Sequence, residues 1–242
     1  MYSLDDKTLM SSQTAHWICL LVLSLTWVLA SFLVNPVGNF PLDDDWAYGF
    51  AVRNLVETGD LRLSGWTATN LIAQVFWGAL FCLPFGFSFT ALRFSTLVLG
   101  LVGLLATYGL LREARAPAGL ALFGSLVLGF SPIYFALSYT FMTDVPFVAI
   151  TTASSWLLLR GLRRDSRAEL LAGFVFAGLA ILIRQLGLAI PIAFAAAYTV
   201  KYGFRLRNVL VATLPVGAGL ALQMIYEAWL RVSGRLPANF GK

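Results

Sequence analysis

Charge is what this sequence has least of. Only 12% of its 242 residues are Asp, Glu, Lys or Arg, where a soluble domain carries about 25%. A water-facing globular surface is thereby excluded. Histidine occurs once, at His16, and cysteine twice, at Cys19 and Cys82. The two cysteines fall in separate apolar stretches, which argues against a disulfide, and no metal-ligand spacing exists. His16 stands at the start of the first apolar stretch and reads as an imidazole at headgroup level. Strand-like alternation is missing, which argues against a β-barrel. Low-complexity segments and clear repeats are missing too.

What is present is apolar. Hydrophobic residues make up 59% of the chain and mean hydropathy is +0.79. Uncharged runs long enough to cross a hydrocarbon core of roughly 30 Å recur along it. The expected class is all-α: a polytopic helical membrane protein. Apolar stretches cover about 17–37, 69–87, 91–111, 118–141, 145–160, 168–183, 186–200 and 208–230. The run from Thr8 to Leu42 is too long for the apolar core of a signal peptide, so 17–37 is read as an uncleaved first span. The net charge of +5 is not a nucleic-acid signal, because Arg and Lys cluster between apolar runs as in cytoplasmic loops.

The basic turns decide how many stretches cross. With eight crossings and an inner N-terminus, "REAR" and "RGLRRDSR" fall outside, against the positive-inside rule. If 69–87 instead lies along the outer surface, within a long first outer loop 39–89, the basic turns all fall inside. Ten of the 17 Lys and Arg then lie inside: Lys7, Arg112, Arg115, Arg160, Arg163, Arg164, Arg167, Lys201, Arg205 and Arg207. That predicts about seven transmembrane helices, with juxtamembrane amphipathic helices in the loop after the first. As one helix, 168–200 would be about 50 Å long, so a break is expected at "IRQLG", 183–187.

This topology gathers ionisable residues on the outer side. Asp43, Asp44 and Asp45 follow the first span, Arg93 opens the second, Asp144 follows the third and Arg184 the fifth. Each has a plain reading. Asp44 or Asp45 suits the N-cap of an amphipathic helix ending at Gly59, and Asp144 suits a cap before Pro146. Arg93 and Arg184 suit snorkelling, and Glu227 with Arg231 suits an i,i+4 pair. One cap needs one aspartate, which leaves the others in "DDDW" without a task.

The order of the motifs resembles the N-terminal half of a known family. "DDWAYGFAVRNLVETGDL" (44–61) is similar to its D-E/D-x-x-Y, helix and T-G-D segment. "ALRFSTLVLGLVGLLATYGLLREA" (91–114) resembles its next span, "SPIYFALSYTFMTDVPF" (131–147) its S-P…T-D-x-P segment, and "LLAGFVFAGLAILIRQLGLAIPIAF" (170–194) its L-T-K-G…P segment. The family is the polyprenyl-phosphate-sugar-dependent glycosyltransferases of the GT-C superfamily. The branch is that of dolichyl-phosphate-mannose protein mannosyltransferases and lipid A aminoarabinose transferases.

The resemblance implies transfer of a sugar from a polyprenyl-phosphate-linked donor to an acceptor hydroxyl of a glycolipid, lipopolysaccharide or protein. It implies a multi-pass inner-membrane protein working on its periplasmic face. Asp44, Asp45 and Asp144 would be catalytic, and Arg184, Tyr48 and Arg93 would bind substrate. Arg184 stands where the family usually has lysine. A divalent cation is left open, no cofactor is named, and nucleic acid is not a partner. Family members run about twice this length. Residues 1–242 are therefore expected to be one transmembrane module, the N-terminal half of a longer catalytic unit completed by another half or partner subunit; a fragment, a split or truncated gene product and a minimal relative all stay open, with activity in doubt if the chain is truncated. Two readings from other classes stay open: a transporter or flippase of a lipid-linked saccharide, and a non-catalytic membrane subunit.

Overall fold

The computed structural model describes residues 6–240, with side chains from Gln13 onward. The described residues form ten α-helices and one short 3₁₀ turn and contain no strand. Four helices are long and apolar enough to cross a membrane: α1 (Asp6–Leu33, apolar from Gln13), α4 (Phe89–Glu113), α7 (Asp144–Arg164) and α10 (Leu206–Val232). The protein is an integral membrane protein. Its outward surface is rich in large apolar side chains such as Leu21, Phe123, Val175 and Ile225, as lipid contact requires.

Between α1 and α4 lie α2 (Asp45–Thr58) and α3 (Ile72–Cys82). At 1.5 Å per residue, α3 is roughly 16 Å long, about half the hydrocarbon thickness. Both the chain entering it and the chain leaving it are held at the same end of the bundle. Leu71 N–H donates to Ile183 O at 3.0 Å, and Phe89 N–H donates to the Asn39 side chain at 3.0 Å. α2 ends where Gly59 takes φ +72° and returns its N–H to Leu55 O, a left-handed cap that glycine adopts without strain.

After α4, α5 (Ala118–Gly129) and α6 (Pro132–Leu137) replace the single span expected over 118–141. The cause is Ser131-Pro132. Ser131 is extended and its Oγ accepts the Tyr134 N–H, while Pro132 sits where its missing N–H costs nothing. The expected break at 183–187 is present. α8 (Arg167–Ile183) stops at extended Arg184, Gln185–Leu188 form the 3₁₀ turn, and α9 (Ala189–Tyr202) resumes. Gly187 makes this turn possible. A Cβ there would lie 2.6 Å from the Ala180 carbonyl carbon and 2.8 Å from Ile181 Cα. α8 and α9 have 17 and 14 residues, each shorter than the roughly 20 of an ordinary span.

α7 packs along both α4 and α8, and these are the largest helix–helix contacts. The alternating direction of the three sorts the connections onto two ends. One end holds the starts of α2, α4 and α7 and the finish of α8. The other holds the basic turns, tied by Arg164–Glu113, Arg160–Glu169 and Lys201–Asp165 ion pairs at 3.1, 2.7 and 2.7 Å.

Candidate functional site

The three aspartates of "DDDW" separate completely. Asp43 takes φ +57° in the turn. Asp44 occupies the N-cap position of α2 without making a side-chain cap bond, and it is exposed. Asp45 is 0% exposed. Its Oδ1 accepts the Leu42 N–H at 2.8 Å and its Oδ2 accepts the Phe141 N–H at 3.2 Å. One carboxylate thus closes its own turn and clamps it to the segment leading into Asp144. Burial raises the Asp45 pKa above the usual carboxylate value. The two N–H donors and the Arg93 charge act against that rise, and Asp43 adds to it.

Arg93 differs from its expected place at the lipid headgroups. It is 3% exposed. Its Nη1 donates to Pro36 O and Gly38 O at 3.4 and 2.8 Å, its Nη2 donates to Phe40 O at 2.5 Å, and its guanidinium covers the Phe40 ring. Three carbonyls of the linker that leaves α1 are gathered by one side chain of α4. Both terminal nitrogens are taken up by backbone carbonyls, so Arg93 tethers the linker to α4, while its buried Nε has no hydrogen-bond partner among the described residues. No sequence signal reveals this, because the acceptors are backbone groups more than 50 residues away. Glu227 also departs from expectation. It accepts from Gln223 Nε2 at 2.8 Å, one turn back.

Asp144 and Arg184 meet. Arg184 Nη2 lies 3.1 Å from Asp144 Oδ1, and Arg184 Nε donates to Thr143 Oγ1 at 2.6 Å. The first residue of α7 therefore faces the break after α8, and the expected capping role falls away: Thr143 holds the N-cap position and Asp144 begins the helix. The pair is only partly buried, with side-chain exposures of 23% and 37%, so it borders water. Such an exposed pair contributes about 0–1 kcal/mol to folding. Its interest is chemical. Three of the guanidinium's nitrogens offer donors, and one anion does not saturate them.

Tyr48 joins the group from α2, half-buried. Burial raises its pKa first. Arg184 lowers it, and Asp144 and Asp44 raise it further. All three charges are therefore within electrostatic reach of one hydroxyl. Asp44, Tyr48, Asp144 and Arg184 come together at a single end of the bundle, while Asp45 and Arg93 lie beneath them as struts. Among the described residues, no three His, Cys, Asp or Glu side chains come close enough to hold a metal ion.

Sequence reasoning missed two polar supports. Gln74 in α3 is 1% exposed and donates to Phe141 O at 2.9 Å and Met142 O at 3.3 Å. Asn70 donates to Ile181 O at 2.6 Å and to Gln223 Oε1 at 2.5 Å, and its carbonyl accepts from Tyr226. Gln74 fixes α3 onto the segment that leads to Asp144, and Asn70 fixes the loop before α3 onto the end of α8 that leads to Arg184. A buried amide inside an apolar stretch was the available signal.

The described residues form a helical membrane body with acids and a guanidinium gathered at one end, and its family match makes it a GT-C glycosyltransferase fold. The chain belongs to the dolichyl-phosphate-mannose-protein mannosyltransferase family, whose model matches residues 73–229. Its fold is similar to the crystal structure of ArnT from Cupriavidus metallidurans bound to undecaprenyl phosphate, with a TM-score of 0.64 at 19% identity. That match covers 90% of this chain and 42% of the other, so the chain spans about two fifths of that protein's length. No curated protein sequence matches the chain.

Proposed function

We propose that this chain carries the donor-handling half of a membrane glycosyltransferase. It would move a sugar from a polyprenyl-phosphate carrier to an acceptor hydroxyl. One observation carries the reading: an exposed acid, a tyrosine and a solvent-bordering Asp–Arg pair converge from three separate segments. Asp44 is the base. It takes the proton of the acceptor hydroxyl as that oxygen bonds to the anomeric carbon. The bond from the anomeric carbon to the phosphate oxygen breaks, and its electron pair leaves on the phosphate. Arg184 meets the charge that grows there. Asp144 aims Arg184, and Tyr48 donates a hydrogen bond to donor or acceptor. Asp45 and Arg93 hold the platform and touch neither.

The carrier's tail has a place to lie. A cavity of about 440 Å³ between α3, α4, α7 and α8 is lined by Trp77, Leu99, Ile150, Phe176 and Ile183 among others. Ile183 immediately precedes Arg184, so an isoprenoid chain there would end at the guanidinium. The end that carries the site would be the extracytoplasmic face, since the Arg and Lys turns occupy the other end. On this reading α5 with α6, α8 and α9 complete seven crossings. The remaining portion of a longer parent would supply the acceptor surface.

Binding of a short-chain polyprenyl phosphate to purified protein tests the reading. Arg184→Ala should weaken binding roughly 10- to 100-fold, the worth of a charge-assisted hydrogen bond, and Arg184→Lys should recover part of it. Equal affinity of wild type and Arg184→Ala would refute it. A transporter instead needs ionisable groups near the midplane of its spans, and the ionisable side chains here gather at the two ends.

A further inference from the structure

A large cavity lies at the other end of the bundle. About 690 Å³ in volume, it opens between the start of α1 and the finishing turns of α4 and α7. Its walls change character along its length. Arg112, Arg160 and Arg164 line the mouth with Glu113, whereas Leu20 and Leu105 line the depth. Trp17, 62% exposed, and Trp156 flank the passage between them.

The charges at the mouth do not cancel. Glu113 is shared by Arg164 at 3.1 Å and Arg160 at 4.0 Å, and Arg160 also reaches Glu169 at 2.7 Å while lying over the Trp156 ring. Arg112 donates one hydrogen bond to Ala116 O at 2.7 Å and has no carboxylate partner among the described residues. Among the described residues, three guanidinium groups therefore face two carboxylates, and the unmatched fork is at the opening. His16 adds a polar edge, with Nδ1 3.1 Å from the Tyr108 hydroxyl.

A ligand matching these walls is anionic at one end and apolar at the other. A soluble nucleotide or acidic peptide would leave Leu20 and Leu105 against water. The depth is that of the membrane interface, where indole rings settle and where basic pockets between helices hold anionic headgroups. We propose that this cleft binds the phosphodiester headgroup of an anionic glycerophospholipid, with Arg112 and Arg164 on the phosphate and one acyl chain along Leu20 and Leu105. The site lies a full helix length from Asp144 and Arg184, and the inference does not depend on the transferase reading.

Native mass spectrometry of the purified protein tests it, with phosphatidylglycerol, phosphatidylethanolamine and inorganic phosphate titrated separately. Phosphatidylglycerol should be retained preferentially, and Arg112→Gln should reduce its retention about tenfold, as loss of one charge-assisted contact does. Arg207→Gln, which removes the same charge at the same end but away from the cleft, should leave retention unchanged. If Arg112→Gln is not recovered folded, Arg164→Gln makes the same comparison. Any of three results overturns the proposal: equal retention of phosphatidylethanolamine, a loss with Arg207→Gln that matches the cleft variant, or displacement of the lipid by inorganic phosphate, which marks a site for free anion alone.

Discussion

Replacing Asp45 by alanine should unfold the site without touching the proposed chemistry. Its carboxylate is 0% exposed and accepts two N–H groups, from Leu42 and from Phe141. Alanine leaves the buried Phe141 donor without a partner, at about 1–3 kcal/mol, and loses the part-buried Leu42 bond, worth about 0.5–1.5 kcal/mol, so a loss of roughly 1.5–4.5 kcal/mol follows. For a chain of this size each kcal/mol lowers Tm by about 2–4 °C, and a central estimate near 3 kcal/mol gives a fall of roughly 6–12 °C. A reporter is built in. Cys82 is fully buried in the cluster that contains Val52 and Phe141, so the reaction of its thiol with a fluorogenic maleimide, in a Cys19→Ser background, follows release of this region. Asp45→Asn keeps one acceptor oxygen and should fall between alanine and wild type. pH adds a sign. The folded Asp45 has a raised pKa, so it binds its proton more readily folded than unfolded. Wild type therefore gains stability from this group as pH falls through that raised value towards 3.8, whereas Asp45→Asn gains none. The gap between them should widen on acidification. Melting of Asp45→Ala within about 2 °C of wild type, or a gap that narrows with acid, refutes the strut.

Three further outcomes follow from the same geometry. Gly187→Ala should disrupt the 3₁₀ turn and lower polyprenyl-phosphate binding, because its Cβ meets the backbone of α8. Wild-type binding by Gly187→Ala would show that the turn is not needed to place Arg184. Gln74→Leu should leave the Phe141 and Met142 carbonyls without their donor and cost about 1–3 kcal/mol, read as faster Cys82 labelling. On topology, single cysteines at 115 and 165 should resist an impermeant reagent applied from outside, while those at 65 and 89 should react.

The parts of this fold legible in the sequence are those set by lengths and charge order. The apolar stretch 168–200 is too long to be one span, so the break before Gly187 could be anticipated. The basic turns placed Asp144 and Arg184 at one end. Ser131-Pro132 was also readable as a helix start, yet the continuous hydrophobicity of 118–141 concealed it. The division of labour within "DDDW" was not readable. Asp44 and Asp45 are adjacent and chemically identical. What separates them is the Phe141 N–H, 96 residues away, which buries one and leaves the other in water. Arg93 misleads for a related reason: a guanidinium at a helix start suggests headgroups, and only the path of residues 36–40 turns it inward.

Whether Asp44 acts as the base at this site is tested most directly by sugar transfer. The full-length parent carrying Asp44→Asn would be given a radiolabelled sugar on a polyprenyl-phosphate carrier, together with acceptor. Loss of a general base lowers the rate about 10²- to 10⁴-fold, and donor binding and the melting temperature should stay as in wild type because Asp44 is exposed and makes no cap bond. Near-normal transfer by Asp44→Asn would contradict the account and leave "DDDW" a turn at the water's edge.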